Sequence, residues 1–444
     1  MRVAVIGGGY VGIVTAACLA ETGNDVLCAD VDVGKVERLS RGDIPIFEPG
    51  LETLVRQNLE QSRLRFTTDV GAAVEHARVV LTAVGTPPRA DGSADLAQVE
   101  AVARVIGDHL NEVKIIANKS TVPVGTARHV ADIIRTRTEQ PFHIASNPEF
   151  LKQGAAVSDF MRPDRVIIGV DSSEAQDIMA ELYAPFVMSG NPILFMDIAS
   201  AELAKYAANA MLAMRISFMN QMADLCERVG ANVMDVRRGI ASDNRIGSAF
   251  LYPGPGYGGS CLPKDVKALL HTSRSLGLEA DLFSAIERVN ERQKTVLLRK
   301  VLHRLGRNLE GVALGVWGLA FKAGTDDMRD SPAIPLIQGL LEAGAIVRAH
   351  DPKASDAARS VFGDSITYVA DPYEAARDAS AVIVLTEWLQ YRTPDFERLR
   401  DLMHRPLFID GRNLYEAERM ERHGFEYESI GRPPLVRVEA GREP

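Results

Sequence analysis

The stretch PGPGYGGSCLPKD, residues 253–265, places a single cysteine between a glycine-rich segment and a Lys-Asp pair. Pro263 is typical of the first turn of a helix, so we expect the Cys261 thiol to lie at a helix N-terminus beside Lys264. A helix N-terminus and a neighbouring lysine both stabilise the thiolate, which is the nucleophilic form of cysteine. The glycines in this stretch would let a ligand approach the backbone closely. Cys261 is therefore predicted to be a nucleophile, and a buried, unreactive cysteine is the alternative.

The other cysteines, Cys18, Cys28 and Cys226, fall within helix or strand patterns and are predicted to be inert core residues. The four cysteines have no paired spacing, which is typical of a reduced, cytoplasmic protein. The histidines are dispersed, so no metal site is predicted. The apolar N-terminus is interrupted by GGGYVG, and no apolar run approaches the roughly eighteen residues of a membrane helix. We therefore expect neither export nor a membrane span.

Gly7, Gly9 and Gly12 form a G-x-G-x-x-G turn between the strand pattern MRVAVIG and the helix pattern IVTAACLAETG. The first glycine permits the turn, the second lets a pyrophosphate approach, and the third allows close helix–strand packing. Asp30 ends the next strand pattern, where a carboxylate binds a ribose 2′-hydroxyl and repels a 2′-phosphate. The pattern predicts a site for NAD rather than NADP, and a turn in a scaffold without cofactor is the alternative.

Two polar segments, VGTP (residues 84–87) and KSTVPVG (residues 119–125), each follow an apolar strand pattern. Ligands bind beyond the C-terminal ends of parallel strands, so Thr86, Ser120 and Thr121 are candidates for contacts with cofactor or water. Hydroxyl capping of the following helices is the alternative.

Lys205 and Asn209 lie four residues apart in a long helical pattern and therefore on one face of a helix. An ammonium and an amide directed at one point can stabilise a developing oxyanion. Their neighbours are mostly apolar, which favours a cleft over the alternative of a solvated helix face.

A nicotinamide site combined with a reactive thiolate predicts a particular reaction. Oxidation of an alcohol gives an aldehyde, which Cys261 can hold as a thiohemiacetal; a second oxidation gives a thioester, and water releases the acid. Asp265 and Thr121 are candidates to position or activate that water. The residues therefore predict a four-electron dehydrogenase. A two-electron dehydrogenase of small hydroxy or phosphorylated acids, which has no use for Cys261, is the alternative.

Repeated alternation of strand and helix patterns surrounds a strand-free middle. We predict an α/β protein with two Rossmann-like, doubly wound parallel-sheet domains joined by a long central helix and a helical middle domain. The expected boundaries are residues 1–197 for the NAD-binding domain, 198–305 for the helical middle domain, and 306–444 for the second Rossmann-like domain. The net charge of −9 argues against nucleic acid as the main partner.

The motifs GGGYVG, VGTP, KSTVPVG, NPEFL, GYGGSCLPKD, GLAFKAGTDDMRDSP and DGRN occur in an order that resembles the nucleotide-sugar 6-dehydrogenases. Members of this family oxidise UDP-glucose, GDP-mannose or UDP-N-acetylmannosamine to uronic acids, and the resemblance covers nearly the whole chain. NPEFLKQGAAVSDFMRPDRVIIG is most similar to the members that act on UDP-glucose, with GDP-mannose as the alternative substrate.

The resemblance implies three sets of site residues. The catalytic residues would be Cys261, Lys205, Asn209, Asp265, Thr121 and Glu149. NAD would contact Gly7, Gly9, Tyr10, Val11, Gly12, Asp30, Lys35, Thr86, Ser120, Thr121, Glu149, Lys264 and Arg329. The sugar nucleotide would contact Glu149, Phe150, Leu151, Lys152, Lys205, Asn209, Arg245, Phe250, Tyr252, Gly254, Gly258, Cys261, Phe321, Lys322 and Arg412. Arg245 would reach a neighbouring subunit, since members of the family are at least homodimers built through the central helix.

Overall fold

The computed structural model describes residues 1–188 and 190–433. The chain divides into two compact units. Unit one comprises residues 1–208 and 267–278, and unit two comprises residues 209–266 and the residues from 279 onward.

Unit one is built around a single sheet with helices on both faces. Its strands are β1 (Arg2–Ile6), β2 (Asp25–Ala29), β3 (Leu64–Thr67), β4 (Val79–Thr82), β5 (Lys114–Asn118), β6 (Phe142–Ser146), β7 (Val166–Val170) and β8 (Ile193–Met196). Its helices are α1 (Tyr10–Glu21), α2 (Val33–Ser40), α3 (Leu51–Glu60), α4 (Val70–His76), α5 (Ala97–His109), α6 (Thr126–Arg135), α7 (Ala156–Met161), α8 (Ser173–Tyr183) and α9 (Ile198–Val229), which continues into unit two.

The strand order within unit one is β3-β2-β1-β4-β5-β6-β7-β8. The order reverses at β1, where Val5 lies opposite Cys28 on one side and Leu81 on the other. All neighbouring strands are parallel except β6 and β7, which pair antiparallel, so the sheet carries a mixed edge. One core packs α1, α3, α7 and α8 on one face, and a second packs α4, α5 and α6 on the other. Covering both faces is what near-continuous apolar strands such as β4 require.

Unit two repeats this plan. Its strands are β9 (Ala313–Trp317), β10 (Ile346–His350), β11 (Thr367–Tyr368), β12 (Ala381–Val384), β13 (Leu407–Asp410) and β14 (Glu426–Ser429). Its helices are α10 (Val233–Ala241), α11 (Leu262–Ser275), which ends in unit one, α12 (Asp281–Gln293), α13 (Val296–Leu305), α14 (Ala333–Glu342), α15 (Ser355–Phe362), α16 (Pro372–Ala376), α17 (Phe396–Leu402) and α18 (Ala417–Arg422).

The sheet of unit two is parallel throughout, with the order β11-β10-β9-β12-β13-β14. This is the order of the first six strands of unit one, and it reverses between β9 and β12. Helices α13 to α15 pack on one face, and an aromatic core around Trp317, Tyr391 and Phe408 covers the other. The predicted fold class is therefore confirmed.

Helix α9 confirms the long central helix, and it ends before Gly230, which has a left-handed φ of +77°. Within unit two, Met211, Phe218 and Leu225 recur every seven residues and are each about half exposed. Such a spacing places them in one stripe along the helix. None of the helices in the described ranges has the length and apolar character to cross a bilayer.

Some elements differ from the prediction. The predicted helical middle is interrupted at Lys294 and Thr295, so α12 and α13 are separate helices. Four strands were not predicted, namely β3, β8, β11 and β14. Each is short, and in all but β8 half or more of the positions are polar. All four are the outermost strands of their sheets.

Candidate active site

The glycine-rich turn after β1 has the space that a dinucleotide pyrophosphate needs. Gly7 has a φ of +112°, and a Cβ on Gly12 would lie 1.8 Å from the Gly7 carbonyl oxygen, so α1 can begin here only with glycine at position 12. A Cβ on Gly9 would meet no described atom within 4 Å, and no side chain caps the N-terminus of α1. Open N–H groups at the start of a helix bind phosphate, so the turn fits NAD.

Asp30, at the end of β2, organises this turn. Its carboxylate accepts hydrogen bonds from the Gly8 N–H at 2.7 Å and the Asp32 N–H at 3.0 Å, and it pairs with the Lys35 ammonium at 2.9 Å. Burial alone raises the pKa of Asp30, but these three donors lower it below the ordinary aspartate value. Asp30 is therefore ionised at neutral pH, as a ribose-binding carboxylate must be.

We expect Asp30→Asn to raise KM for NAD about tenfold to a hundredfold, the range for losing a hydrogen bond to a charged group. The ratio of activity with NADP to activity with NAD should rise, because an amide does not repel a 2′-phosphate. Asp25→Asn is the matched control, since Asp25 opens the same strand and pairs with Arg65 on the surface. An unchanged KM for NAD in Asp30→Asn would exclude the ribose role.

Tyr10, a predicted cofactor contact, begins α1, and its hydroxyl donates to the carboxylate of Glu48. Burial, together with this bond and the charge of Glu48, raises the pKa of Tyr10 well above its ordinary value. Glu48 is itself buried and accepts the N–H groups of Gly154 at 2.6 Å and Ala156 at 2.7 Å. The pair fixes the segment after NPEFL to the dinucleotide turn. Glu48 was missed by sequence reasoning, because it lies in a segment without periodicity.

The hydroxyls after β4 and β5 join the two loops to each other. Thr86 Oγ1 donates to the Thr121 carbonyl at 2.9 Å, and Ser120 Oγ donates to the Val84 carbonyl at 2.7 Å. These bonds differ from the helix capping that was the alternative for Thr86 and Ser120. They hold the Thr121 segment at the C-terminal edge of the sheet.

Glu149, Phe150 and Lys205 come together in unit one. Glu149 Oε1 lies 3.3 Å from Lys205 Nζ, and both side chains are almost completely buried. Glu149 Oε2 accepts the Leu151 N–H at 2.7 Å, and Lys205 Nζ lies 5.1 Å from the centroid of the Phe150 ring. Burying an ion pair costs desolvation energy, which the attraction between the charges repays only where the geometry is good.

Lys119 is a charged residue of this cluster that sequence reasoning missed. Its ammonium is buried, donates to Asn147 Oδ1 at 3.1 Å and lies 5.6 Å from the Phe160 ring centroid. Burial lowers the pKa of Lys119 to about 8, although the nearby Glu149 raises it. The available signal was its position as the first residue after the buried strand β5.

Phe150, Leu151 and Lys152, all predicted substrate contacts, line a cavity of about 120 Å³ in unit one. Residues 159, 160 and 162–166 also line it. Lys152 is mostly exposed and pairs with Asp159 at 3.3 Å.

In unit two, Cys261 immediately precedes α11, and its carbonyl accepts the Asp265 N–H at 2.9 Å, which closes the first turn. The predicted position of the cysteine at a helix N-terminus is confirmed. Arg329, a predicted cofactor contact, is close enough to respond to the charge on Cys261. Its hydrogen bond with Asp327 raises the pKa of Arg329, burial opposes this, and negative charge at Cys261 adds to the rise. A helix N-terminus favours the thiolate.

Asp265 lies one turn after Cys261 and is completely buried. Asn209 Nδ2 donates to Asp265 Oδ2 at 2.6 Å, and Lys264 Nζ lies 2.7 Å from Asp265 Oδ1. The carboxylate thus has a fixed direction and a cation beside it.

The glycines before Cys261 serve the protein's own packing. A Cβ on Gly258 would lie 2.4 Å from the Asp330 carbonyl oxygen, and one on Gly259 would lie 2.7 Å from the Phe321 ring. The Gly259 N–H also donates to the Arg329 carbonyl at 2.8 Å. From the sequence, we expect these glycines to let a ligand approach the backbone. At Gly258 and Gly259 the group that approaches the backbone is the neighbouring loop of the protein itself.

The loops after β9 and β13 meet at Arg412, which donates to the carbonyls of Leu385 at 2.6 Å and Phe321 at 2.8 Å. A Cβ on Gly254 would lie 3.4 Å from the Arg412 guanidinium, so three predicted substrate contacts lie close together. Lys322 Nζ lies 5.6 Å from the Phe321 ring centroid.

Three further predicted substrate contacts lie in residues 245–252. Phe250 has a φ of +60°, a strained value for a bulky residue, and Tyr252 is half exposed beside Arg237. Arg245 is highly exposed and pairs with Asp243 in its own turn at 2.6 Å. Its reach to a neighbouring subunit stays a prediction.

Comparison with known proteins agrees with the resemblance seen in the motifs. Residues 1–187, 199–292 and 315–417 match the NAD binding, central and UDP binding domains of the UDP-glucose/GDP-mannose dehydrogenase family. The chain is 48% identical over 437 residues to a UDP-glucose 6-dehydrogenase of Rhizobium meliloti (strain 1021), covering 98% of this chain and 100% of that protein.

Two further relatives extend the comparison. A UDP-glucose 6-dehydrogenase of Pseudomonas aeruginosa is 48% identical over 443 residues, covering 98% of each chain. The solved structure of a UDP-glucose dehydrogenase from Pyrobaculum islandicum has a TM-score of 0.90 at 39% identity and covers 97% of each chain. The chain therefore belongs to the UDP-glucose/GDP-mannose dehydrogenase family.

Proposed function

We propose that this chain oxidises the C6 alcohol of UDP-glucose to the carboxylate of UDP-glucuronate, with two NAD reduced for each sugar. The names of the relatives and the NAD and UDP binding domains support this activity. The observation that carries the mechanism is the placement of Cys261 at the N-terminus of α11, one turn before the buried Asp265.

NAD would be held by the turn from Gly7 to Gly12, with its ribose on Asp30. When bound, it supplies the hydride acceptor for both oxidations. The open N-terminus of α1 and the ionised carboxylate of Asp30 are the chain's contribution to holding it.

Cys261 would keep the intermediate attached between the two oxidations. Its thiolate adds to the C6 aldehyde, which forms a C–S bond and an alkoxide that takes a proton to become a thiohemiacetal. Loss of a hydride from C6 and of the hydroxyl proton, two electrons and two protons in all, converts this to a thioester. Water then adds to the thioester carbon, the C–S bond breaks, and the thiolate is regenerated as the acid leaves.

Other charged and polar residues suit the remaining tasks. Lys205 and Asn209 would stabilise the negative oxygen at C6, since each presents a donor held by a buried carboxylate. Asp265, with Thr121, would activate the water, and Glu149 would assist hydrolysis. Phe150, Lys322 and Arg412 would contact the sugar nucleotide.

The experiment is a panel of nucleotide sugars at saturating NAD, with NADH followed by absorbance. UDP-glucose should give two NADH per molecule consumed, without free aldehyde. One NADH per sugar with release of aldehyde would overturn the covalent mechanism. A preference for GDP-mannose or UDP-N-acetylmannosamine would overturn the substrate and leave the chemistry intact.

We also propose that two copies associate through α9, supported by the exposed stripe of Met211, Phe218 and Leu225. The division at residues 197 and 305 is likewise our proposal, supported by the ranges of the three family domains. A cytoplasmic location is part of the same proposal, supported by the unpaired spacing of the four cysteines.

A further inference from the structure

The segment from Pro253 to Gly259, called here the glycine loop, is buried although it lies outside the helices and strands. Buried backbone N–H and C=O groups need hydrogen-bond partners, and this loop has no sheet or helix ladder to provide them. How its backbone is satisfied therefore decides how firmly the residues before Cys261 are held.

Three buried side-chain amides, those of Asn220, Asn290 and Gln293, provide hydrogen-bond partners for the backbone of two residues in the glycine loop. Gly254 donates its N–H to Asn220 Oδ1 at 2.8 Å and accepts from Gln293 Nε2 at 2.7 Å. Tyr257 donates its N–H to Asn290 Oδ1 at 2.8 Å and accepts from Asn290 Nδ2 at 3.0 Å. The amides are at most 2% exposed.

Asn290 thus binds Tyr257 as a neighbouring strand would, with one donor and one acceptor. Asn220 comes from α9, and Asn290 and Gln293 come from the last turn of α12. The three amides tie the loop to two helices of unit two. All three were missed by sequence reasoning, since an amide in a helix has no distinctive pattern.

We propose that Asn290, supported by Gln293 and Asn220, is a positioning residue that sets the place of the Cys261 thiol; this rests on the proposed role of Cys261 as nucleophile. Tyr257 is four residues before Cys261, and Gly258 and Gly259 between them are packed tightly on the Phe321 and Asp330 loop. A shift at Tyr257 has little room to be absorbed and passes to Cys261. Misplacing a reacting group by about 1 Å can cost about a hundredfold in rate.

Asn290→Asp is the sharpest test, because it keeps the size and the acceptor for the Tyr257 N–H. It replaces the donor to the Tyr257 carbonyl by a second oxygen, which repels that carbonyl. We expect kcat with UDP-glucose to fall about tenfold to a hundredfold while the dissociation constant for NAD stays within twofold. We also expect a change in the rate at which iodoacetamide alkylates Cys261 in the absence of substrate. Followed by peptide mass spectrometry, this rate should differ at least about threefold between Asn290→Asp and the wild type.

Asn58→Asp is the matched control. Asn58 is a fully buried asparagine of unit one that donates to the Leu54 carbonyl and accepts from Arg63. Asn58→Asp should lower the thermal unfolding midpoint about as much as Asn290→Asp does, without changing kcat or the rate of Cys261 alkylation. If Asn290→Asp does not fold, Gln293→Met removes only the donor to Gly254 and should lower kcat about threefold to tenfold.

A kcat and an alkylation rate that match the wild type in the folded variants would overturn the proposal. The alkylation measurement uses no nucleotide sugar. A wild-type enzyme inactive on UDP-glucose would therefore count against the proposed function, and the response of the Cys261 thiol would still decide the positioning role.

Discussion

Replacing Cys261 with serine is expected to lower kcat for UDP-glucose oxidation by about 10³-fold or more, while NAD binding stays within twofold. Removal of an enzyme's covalent nucleophile costs up to about 10⁶-fold in the best-studied cases. A helix N-terminus such as that of α11 favours a thiolate at this position, but a serine hydroxyl is far too weak an acid to ionise there. Steady-state NADH formation and NAD titration of the same preparation measure the two quantities.

Cys226→Ser is the control for this substitution. Cys226 is a buried thiol of α9, and burial raises its pKa, so it is unreactive. Its replacement should leave kcat within twofold, at some cost in stability. Two NADH per UDP-glucose at more than a tenth of the wild-type rate in Cys261→Ser would show that the covalent intermediate is not needed.

The parts of the molecule that could be predicted are those that depend on local sequence. Pro263 placed a helix start directly after Cys261, and the structure begins α11 at Leu262. The spacing of Gly7, Gly9 and Gly12 predicted a turn whose steric requirements are those seen in the structure. In each case one backbone constraint acts over a few residues and therefore leaves a readable pattern.

Contacts between distant segments could not be predicted in this way. The partner of Tyr10 is Glu48, and the partner of Tyr257 is Asn290, thirty-three residues further along the chain. Each depends on where two segments meet in the fold, and neither leaves a local pattern. Lys119 lies between these two cases. Its burial could be predicted because it directly follows the buried strand β5, but its contact with Asn147 depends on a distant segment and could not.

Glycines illustrate a second limit. Gly9 faces open space, and Gly258 and Gly259 face the protein's own Asp330 and Phe321. The same absence of a side chain serves a ligand in one place and internal packing in the other. A sequence therefore shows that the backbone must be approached closely, and the structure is needed to say by what.

Asp265→Asn is expected to lower kcat by about 10² to 10⁴-fold, the usual contribution of a general base. The carboxylate is buried, oriented by the amide of Asn209 and paired with Lys264. The substitution keeps the size of the side chain and removes the basic oxygen, so water activation should suffer while Cys261 remains in place. Rapid-mixing measurement of NADH should then show a burst of two NADH per active site followed by slow turnover.

The slow step in this variant should be hydrolysis of the thioester. Mass spectrometry of the quenched enzyme should find a larger fraction of the Cys261 peptide carrying the substrate acyl group than in the wild type. Asp235→Asn is the matched control, because Asp235 also lies in the first turn of a helix but is exposed and paired with Arg238 on the surface. If Asp265→Asn turned over slowly without either a burst or an acylated Cys261, the carboxylate would act before the thioester forms. Its assignment to water activation would then be wrong, because a base that serves only the hydrolytic step cannot slow the oxidations that precede it.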